Sequence, residues 1–152
     1  MERGSSLLYY PHLCGAGDPD FYPDSTGVFY GIGLATNRGD FALAVMEGIA
    51  FQIRVILEAM EAYGNVHTLI IFGGGANSEL WSQIIADITG LKIAILKTPE
   101  AAGAGAAMLA AKAVGKELKP LEIVKYYEPS EKQEAYNEKY AKFRAIEKKL
   151  WA

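Results

Sequence analysis

The residues best suited to chemistry sit in one run, Phe72-Gly73-Gly74-Gly75-Ala76-Asn77-Ser78. Three successive glycines lack three Cβ atoms, so a flat ring or a phosphate can approach the backbone closely. The run follows a short apolar stretch and precedes an amphipathic one. That places it at the carboxyl end of a strand, where ligands of open α/β sheets usually sit. The N-terminus of the following helix would supply N–H groups and partial positive charge. Asn77 and Ser78 add side chains able to bond adenine or ribose. A tight strand-to-helix turn that holds no ligand uses the same residues equally well.

Two common nucleotide motifs are excluded. A Gly-x-Gly-x-x-Gly fingerprint needs a further glycine at position 78, which is Ser78, and the next strand ends in Leu96-Lys97 with no acid to hold a ribose hydroxyl. No Gly-x-x-x-x-Gly-Lys-Ser/Thr loop is present either. Asp24-Ser25-Thr26-Gly27 imitates a phosphate loop but follows no strand, so a plain turn is the better reading. The single cysteine, Cys14, reads as an inert, partly buried thiol rather than a nucleophile. One cysteine cannot form an intramolecular disulfide, which fits a reducing cytoplasm.

The elements that must position the glycine run follow from periodicity and punctuation. Residues 1–27, rich in Gly, Pro and Asp, read as irregular chain. Val28 to Leu34 reads as a strand. Asp40 can cap a helix running to about Ala62, with Gly64 as its stop. This helix is apolar nearly all round and should be buried on more than one side. Thr68 to Phe72 is a continuous apolar run, expected as a buried parallel strand. Asn77 or Ser78 caps the next helix, whose apolar face is Leu80, Trp81, Ile84, Ile85 and Ile88, and Gly90 ends it. Leu91 to Leu96 is a further strand. Thr98, Pro99 and Glu100 open an alanine-rich helix to Val114 that Gly115 closes. Gly103 and Gly105 inside it each cost roughly 1 kcal/mol relative to alanine. Close helix-on-sheet packing is the expected reason, and a ligand brushing the helix the secondary one. Pro120 and Pro129 bracket a connector. A last helix, Glu131 to Leu150, carries the stripe Tyr136, Tyr140, Phe143, Ile146 and Leu150, expected to pack as core.

Strands alternating with helices predict an α/β fold with a mostly parallel central sheet flanked by helices, as one domain over residues 1–152. The chain of 152 residues is long enough to bury a core. Its net charge of −3 gives no electrostatic case for nucleic acid or an anionic membrane. No apolar run reaches membrane-spanning length.

The stretch Gly73-Gly74-Gly75-Ala76-Asn77-Ser78-Glu79-Leu80-Trp81-Ser82-Gln83-Ile84-Ile85-Ala86-Asp87 resembles the second-lobe signature of the FGGY carbohydrate kinases, a family that includes xylulokinase, gluconokinase and glycerol kinase. Three more stretches agree in order. Residues 40–51 resemble the family's first long helix, residues 100–107 its alanine-rich helix, and Tyr127-Glu128-Pro129 with Tyr136 and Tyr140 its tail. The chain departs at Gly15-Ala16-Gly17-Asp18-Pro19, where the family often has Gly-Glu-Arg-x-Pro, and at Leu43, where it often has Arg.

The resemblance implies the C-terminal, second lobe of such a kinase, with a ribonuclease H-like, actin-like ATPase fold. It implies that Gly73, Gly74 and Gly75 lie against the ribose and α-phosphate of ATP, with Asn77 and Ser78 near the adenine. Glu47 and Asp87 match family positions and are expected to be structural. Phosphoryl transfer also needs Mg2+, positioned phosphates and a base. In the family an aspartate near the lobe boundary serves as base, and no residue here matches it, so no catalytic residue is assigned. The resemblance thus implies a nucleotide-binding half that transfers nothing alone, takes ATP or ADP, and needs a first lobe to act on a sugar or polyol. The resemblance also implies that this lobe lacks its own first strands, and the open edge this would leave near Val28 to Leu34 would favour the first lobe or self-association. The competing expectation is an interaction module that keeps the fold without the nucleotide.

Overall fold

A computed structural model describes residues 6–151. A short antiparallel pair opens the chain: β1, Leu8–Tyr10, lies beside β2, Val28–Tyr30, with Tyr9 opposite Phe29. The strand expected to run to Leu34 therefore stops at Tyr30. Gly31 follows with φ +92°, outside strand geometry.

The first helix, α1, spans Arg38–Met60. Its cap is Asn37 rather than Asp40. Asn37 Oδ1 accepts from the N–H of Gly39 at 2.8 Å, and Asp40 Oδ2 reaches back to accept from the N–H of Asn37 at 2.9 Å. Asp40 thus closes a capping box from its third position. A 3₁₀ turn, Glu61–Tyr63, extends the helix, and Gly64 follows as its C-cap. One face of α1 rests on β1 so closely that a Cβ on Gly48 would lie 2.2 Å from Tyr9 O. Ile56 and Met60 remain about half exposed, so the expected burial does not reach the last turns.

The central sheet has three strands in the order β3 (Thr68–Ile71), β4 (Lys92–Leu96), β5 (Ile123–Tyr127). The pair β3–β4 is parallel, with Leu69 opposite Ile93, and β4–β5 is antiparallel. The sheet is therefore mixed rather than mostly parallel. The connector between Pro120 and Pro129 supplies the antiparallel strand. Its residues Ile-Val-Lys-Tyr-Tyr are good strand formers, but four of the five are exposed. β3 is an edge strand with Ile70 at 49% exposure and Phe72, just beyond it, at 52%, so it is parallel as expected but not buried. β4, in the centre, carries the buried residues Ile93, Ala94 and Ile95.

The helix α2, Glu79–Thr89, ends at Gly90 in the left-handed conformation, φ +70°. It packs beside α1 and presents Ile84, Ile85 and Ile88 to the core. The alanine-rich helix α3 spans Ala101–Ala113, with Glu100 as N-cap and Thr98 Oγ1 accepting from the Glu100 N–H at 3.3 Å. Only Ala101 of α3 is buried. A Cβ on Gly103 or Gly105 would meet nothing within 4 Å, which overturns the expected close packing at these glycines. The last helix, α4, spans Gln133–Trp151. Its Tyr140, Phe143 and Ile146 enter the core, as the stripe implied, while Leu150 stays 40% exposed. The rings of Tyr10 and Phe143 stack at 4.4 Å, and Tyr10 Oη donates to Phe143 O at 3.0 Å. No helix among the described residues is long and apolar enough to cross a membrane.

Candidate nucleotide-binding turn

β3 and β4 run in the same direction, so both strand-to-helix connections leave from one end of the sheet. The glycine run forms the first connection. Gly73 has φ +78°, a left-handed value that any side chain would strain. A single 3₁₀ turn, Gly74–Asn77, follows, with the Ala76 N–H donating to Gly73 O at 3.2 Å and the Ser78 N–H donating to Gly75 O at 3.1 Å. Gly75 faces the indole of Trp81: a Cβ there would lie 2.2 Å from Cζ3. Gly74 is exposed, its φ is ordinary, and a Cβ on it would meet nothing within 4 Å. Conformation accounts for Gly73 and packing for Gly75. Neither accounts for Gly74.

Ser78 caps α2: its Oγ accepts from the Trp81 N–H at 3.3 Å. Its hydroxyl hydrogen stays available to a ligand. Asn77 ends the 3₁₀ turn, exposed to solvent, with no side-chain partner among the described residues. The structure thus brings the five residues 73, 74, 75, 77 and 78 together on one turn. It also modifies the electrostatic expectation. The 3₁₀ turn, which holds Gly74 and Gly75, ends before α2, so the glycines do not form the α2 N-terminus, whose first residue, Glu79, carries a carboxylate 2.5 Å from Lys125 Nζ. The Lys125 ammonium beside it holds the Glu79 carboxyl below its usual range. This helix end already has its negative charge.

Sequence spacing places Trp81 only on the apolar face of α2, and its contact with Gly75 is not legible there. A pocket of about 360 Å³ lies against this contact, lined by Ile53, Ile70, Phe72, Gly75, Ala76 and Trp81 among others. A more polar pocket of about 320 Å³, with Arg54, Glu58, Glu61 and His67, lies at the amino ends of β3 and β4, away from the turn.

The two acids at family-matching positions are structural. Asp87 is buried on α2, where its Oδ1 accepts from Gln83 Nε2 at 2.9 Å and from the Ser130 N–H at 2.7 Å. Glu47 is buried on α1 and binds Lys139 Nζ at 2.5 Å, tying α1 to α4. Burial pushes its carboxyl up, and the Lys139 ammonium partly offsets this. Cys14 is exposed. No group of three or more His, Cys, Asp or Glu side chains among the described residues is arranged to hold a metal ion.

Comparison with known proteins agrees with this layout. The chain is 39% identical to the xylulose kinase of Bacillus subtilis (strain 168) over 108 residues, covering 70% of this chain and 22% of that protein. Its fold matches the crystal structure of a xyloylose kinase from Brucella ovis with a TM-score of 0.88 at 29% identity, covering 99% of this chain and 33% of that one. It also matches the fold of Plasmodium falciparum glycerol kinase, solved with ADP, with a TM-score of 0.77 at 22% identity, over 100% of this chain and 32% of that one. The chain thus spans a third or less of the length of these relatives. Residues 3–114 match the C-terminal domain of the FGGY family of carbohydrate kinases, and the chain belongs to that family.

Proposed function

We propose that this chain is the nucleotide-binding half of an ATP-dependent carbohydrate kinase, which moves the γ-phosphate of ATP to a hydroxyl of a sugar or polyol. The observation that carries the reading is Gly74, a glycine with an ordinary φ and open space where a Cβ would go. A ligand lying against the turn gives it a reason, and the family membership supports ATP or ADP as that ligand. In this reading Gly73 to Gly75 form the surface under the ribose and α-phosphate. Asn77 and Ser78 bond the adenine side, through the amide of Asn77 and the hydroxyl hydrogen that Ser78 retains while capping α2.

The described residues offer no metal-ligand cluster, so no step is assigned to Mg2+ on this chain. The general base and the remaining phosphate contacts are assigned to a first lobe. The half-exposed Ile70 and Phe72 at edge strand β3 support completion by further structure, as edge strands recruit partners. The chain is soluble and cytoplasmic in this reading and does not transfer phosphate alone.

The test is nucleotide-linked stability. A ligand at a hundredfold excess over its dissociation constant adds roughly 2.7 kcal/mol. For a chain of this size that is a rise in Tm of about 5–10 °C. ADP is expected to raise the Tm of the wild type, and Gly74→Asp, which sets a carboxylate against the nucleotide phosphates, is expected to abolish the rise with its own Tm nearly unchanged. An ADP shift that survives Gly74→Asp would remove the turn from the site. No shift in either protein would favour the interaction module.

A further inference from the structure

Trp81 holds an unusual position in α2. Its benzo ring is pressed onto the backbone of Gly75: a Cβ there would lie 2.2 Å from Cζ3, 2.9 Å from Cε3 and 3.3 Å from Cη2. Its backbone N–H is tied through Ser78 Oγ to the end of the same turn. Its indole Nε1 is buried without a hydrogen-bond partner, beside the apolar pocket under Phe72 and Ala76. A buried indole N–H usually finds an acceptor, and leaving one unpaired is unfavourable. The indole N–H therefore does not select the place of this ring. Packing does, against the core on one side and against the turn on the other.

We propose that Trp81 is a positioning residue of the glycine turn. Its indole forms the floor that fixes the path of residues 74–76, so that the turn is held ready for a nucleotide before one arrives. This rests on the nucleotide-binding reading of the turn. Two backbone hydrogen bonds, from the Ala76 N–H to Gly73 O at 3.2 Å and from the Ser78 N–H to Gly75 O at 3.1 Å, close the turn, both at the upper end of the ordinary range. Glycines resist rearrangement least of all residues. Without the floor, the turn would sample other conformers, and the apparent affinity would fall by the fraction of time spent in the competent one. A tenth of the time means about a tenfold loss.

The experiment combines Trp81→Leu, Trp81→Phe, Gly75→Ala and the double variant Gly75→Ala/Trp81→Leu. Two readouts are taken on the whole chain: amide exchange at Ala76 and Ser78 by NMR without nucleotide, and ADP affinity by calorimetry. Trp81→Leu is expected to speed exchange at both amides about tenfold while Ile85 and Ile88 in α2 keep their protection, and to weaken ADP about tenfold. Trp81→Phe, the milder change should the leucine variant not fold, is expected to fall between. Gly75→Ala is expected to disturb the same two amides, and the smaller leucine side chain at position 81 of the double variant to restore them part of the way. Unchanged exchange at Ala76 and Ser78 in both Trp81 variants, or a double variant no better than Gly75→Ala, overturns the proposal. Altered exchange in a protein that binds no ADP leaves the brace standing and refutes the nucleotide reading instead.

Discussion

Substituting alanine for glycine should act with opposite sign in two helices of this protein. In α3, Gly103 and Gly105 have no heavy atom within 4 Å of an added Cβ, and neither has a positive φ. Alanine there gains helix propensity, roughly 1 kcal/mol each, at no steric cost. Residues two apart on a helix do not face each other, so the gains should add to about 2 kcal/mol. For a chain of this length the double variant should melt about 4–8 °C higher. In α1 the same change at Gly48 gains the same propensity, but its Cβ would lie 2.2 Å from Tyr9 O and 3.0 Å from Tyr9 C. Relief requires moving β1, a backbone rather than a flexible side-chain tip, and overpacking of this kind costs about 1–3 kcal/mol or more. Gly48→Ala should therefore melt lower than the wild type. Thermal unfolding followed by far-UV circular dichroism decides it. A fall in Tm for Gly103→Ala or Gly105→Ala would refute the open face of α3, and a rise for Gly48→Ala would refute the contact between α1 and β1. Adding ADP gives a third arm: loss of its stabilising effect in the α3 variants alone would place the ligand against that helix.

Two paired carboxylates should respond to acid in opposite directions. Asp20 binds Arg144 through both oxygens, at 2.5 and 3.1 Å, and the Arg144 hydrogen bond holds its carboxyl below the usual value of 3.8. Its stabilising contribution is complete above that value and is lost as pH falls through the lowered folded value, so Asp20→Asn should be less stable at pH 7 and differ less from wild type near pH 2. Burial raises Glu47 above 4.5, so the folded chain holds the extra proton just above that pH and gains stability as pH falls through the window; Glu47→Gln should flatten this in urea midpoints measured from pH 4 to 7. Ser78→Ala should cost about 0.5 kcal/mol in urea unfolding, the low end for a lost N-cap, because the hydrogen bond to the Trp81 N–H is long at 3.3 Å.

What the sequence discloses here is what neighbouring residues decide between themselves. α2 is legible at both ends because Ser78 caps it and Gly90 takes the left-handed exit. The start of α1 is local too: Asn37 three residues before Asp40 is a capping-box spacing, which an aspartate that satisfies the simpler single-cap rule conceals. Strand direction is different. Nothing in Ile123-Val124-Lys125-Tyr126-Tyr127 states that it returns antiparallel to β4, and its exposure removes the apolar run that marks a buried strand. The polar network that joins the first loop to α4 is equally hidden. His12 Nε2 lies 3.1 Å from Glu147 Oε1 across 135 residues of chain, and Gln52 Nε2 donates to the same oxygen at 2.9 Å. The glycines of α3 fail for the same reason in reverse, since a small residue signals a close neighbour only when one is there.

The glycine triplet shows where local reading ends and function begins. A sequence rule treats the three positions as one motif, yet each has its own physical standing. Gly73 is required by its φ of +78°, which any tight exit from a strand could demand. Gly75 is required by Trp81, a packing demand internal to the chain. Both would be glycine in a turn that binds nothing, so neither distinguishes a nucleotide site from a structural turn. Gly74 alone has no internal reason, and it is also the position where an added side chain would project into open solvent above the turn. Gly103 and Gly105 share that open space, so openness by itself marks no ligand; what sets Gly74 apart is its place on a strand-to-helix turn at the end of the sheet where ligands of α/β folds sit. The nucleotide hypothesis therefore stands or falls on Gly74, while substitutions at Gly73 and Gly75 report first on whether the turn is built.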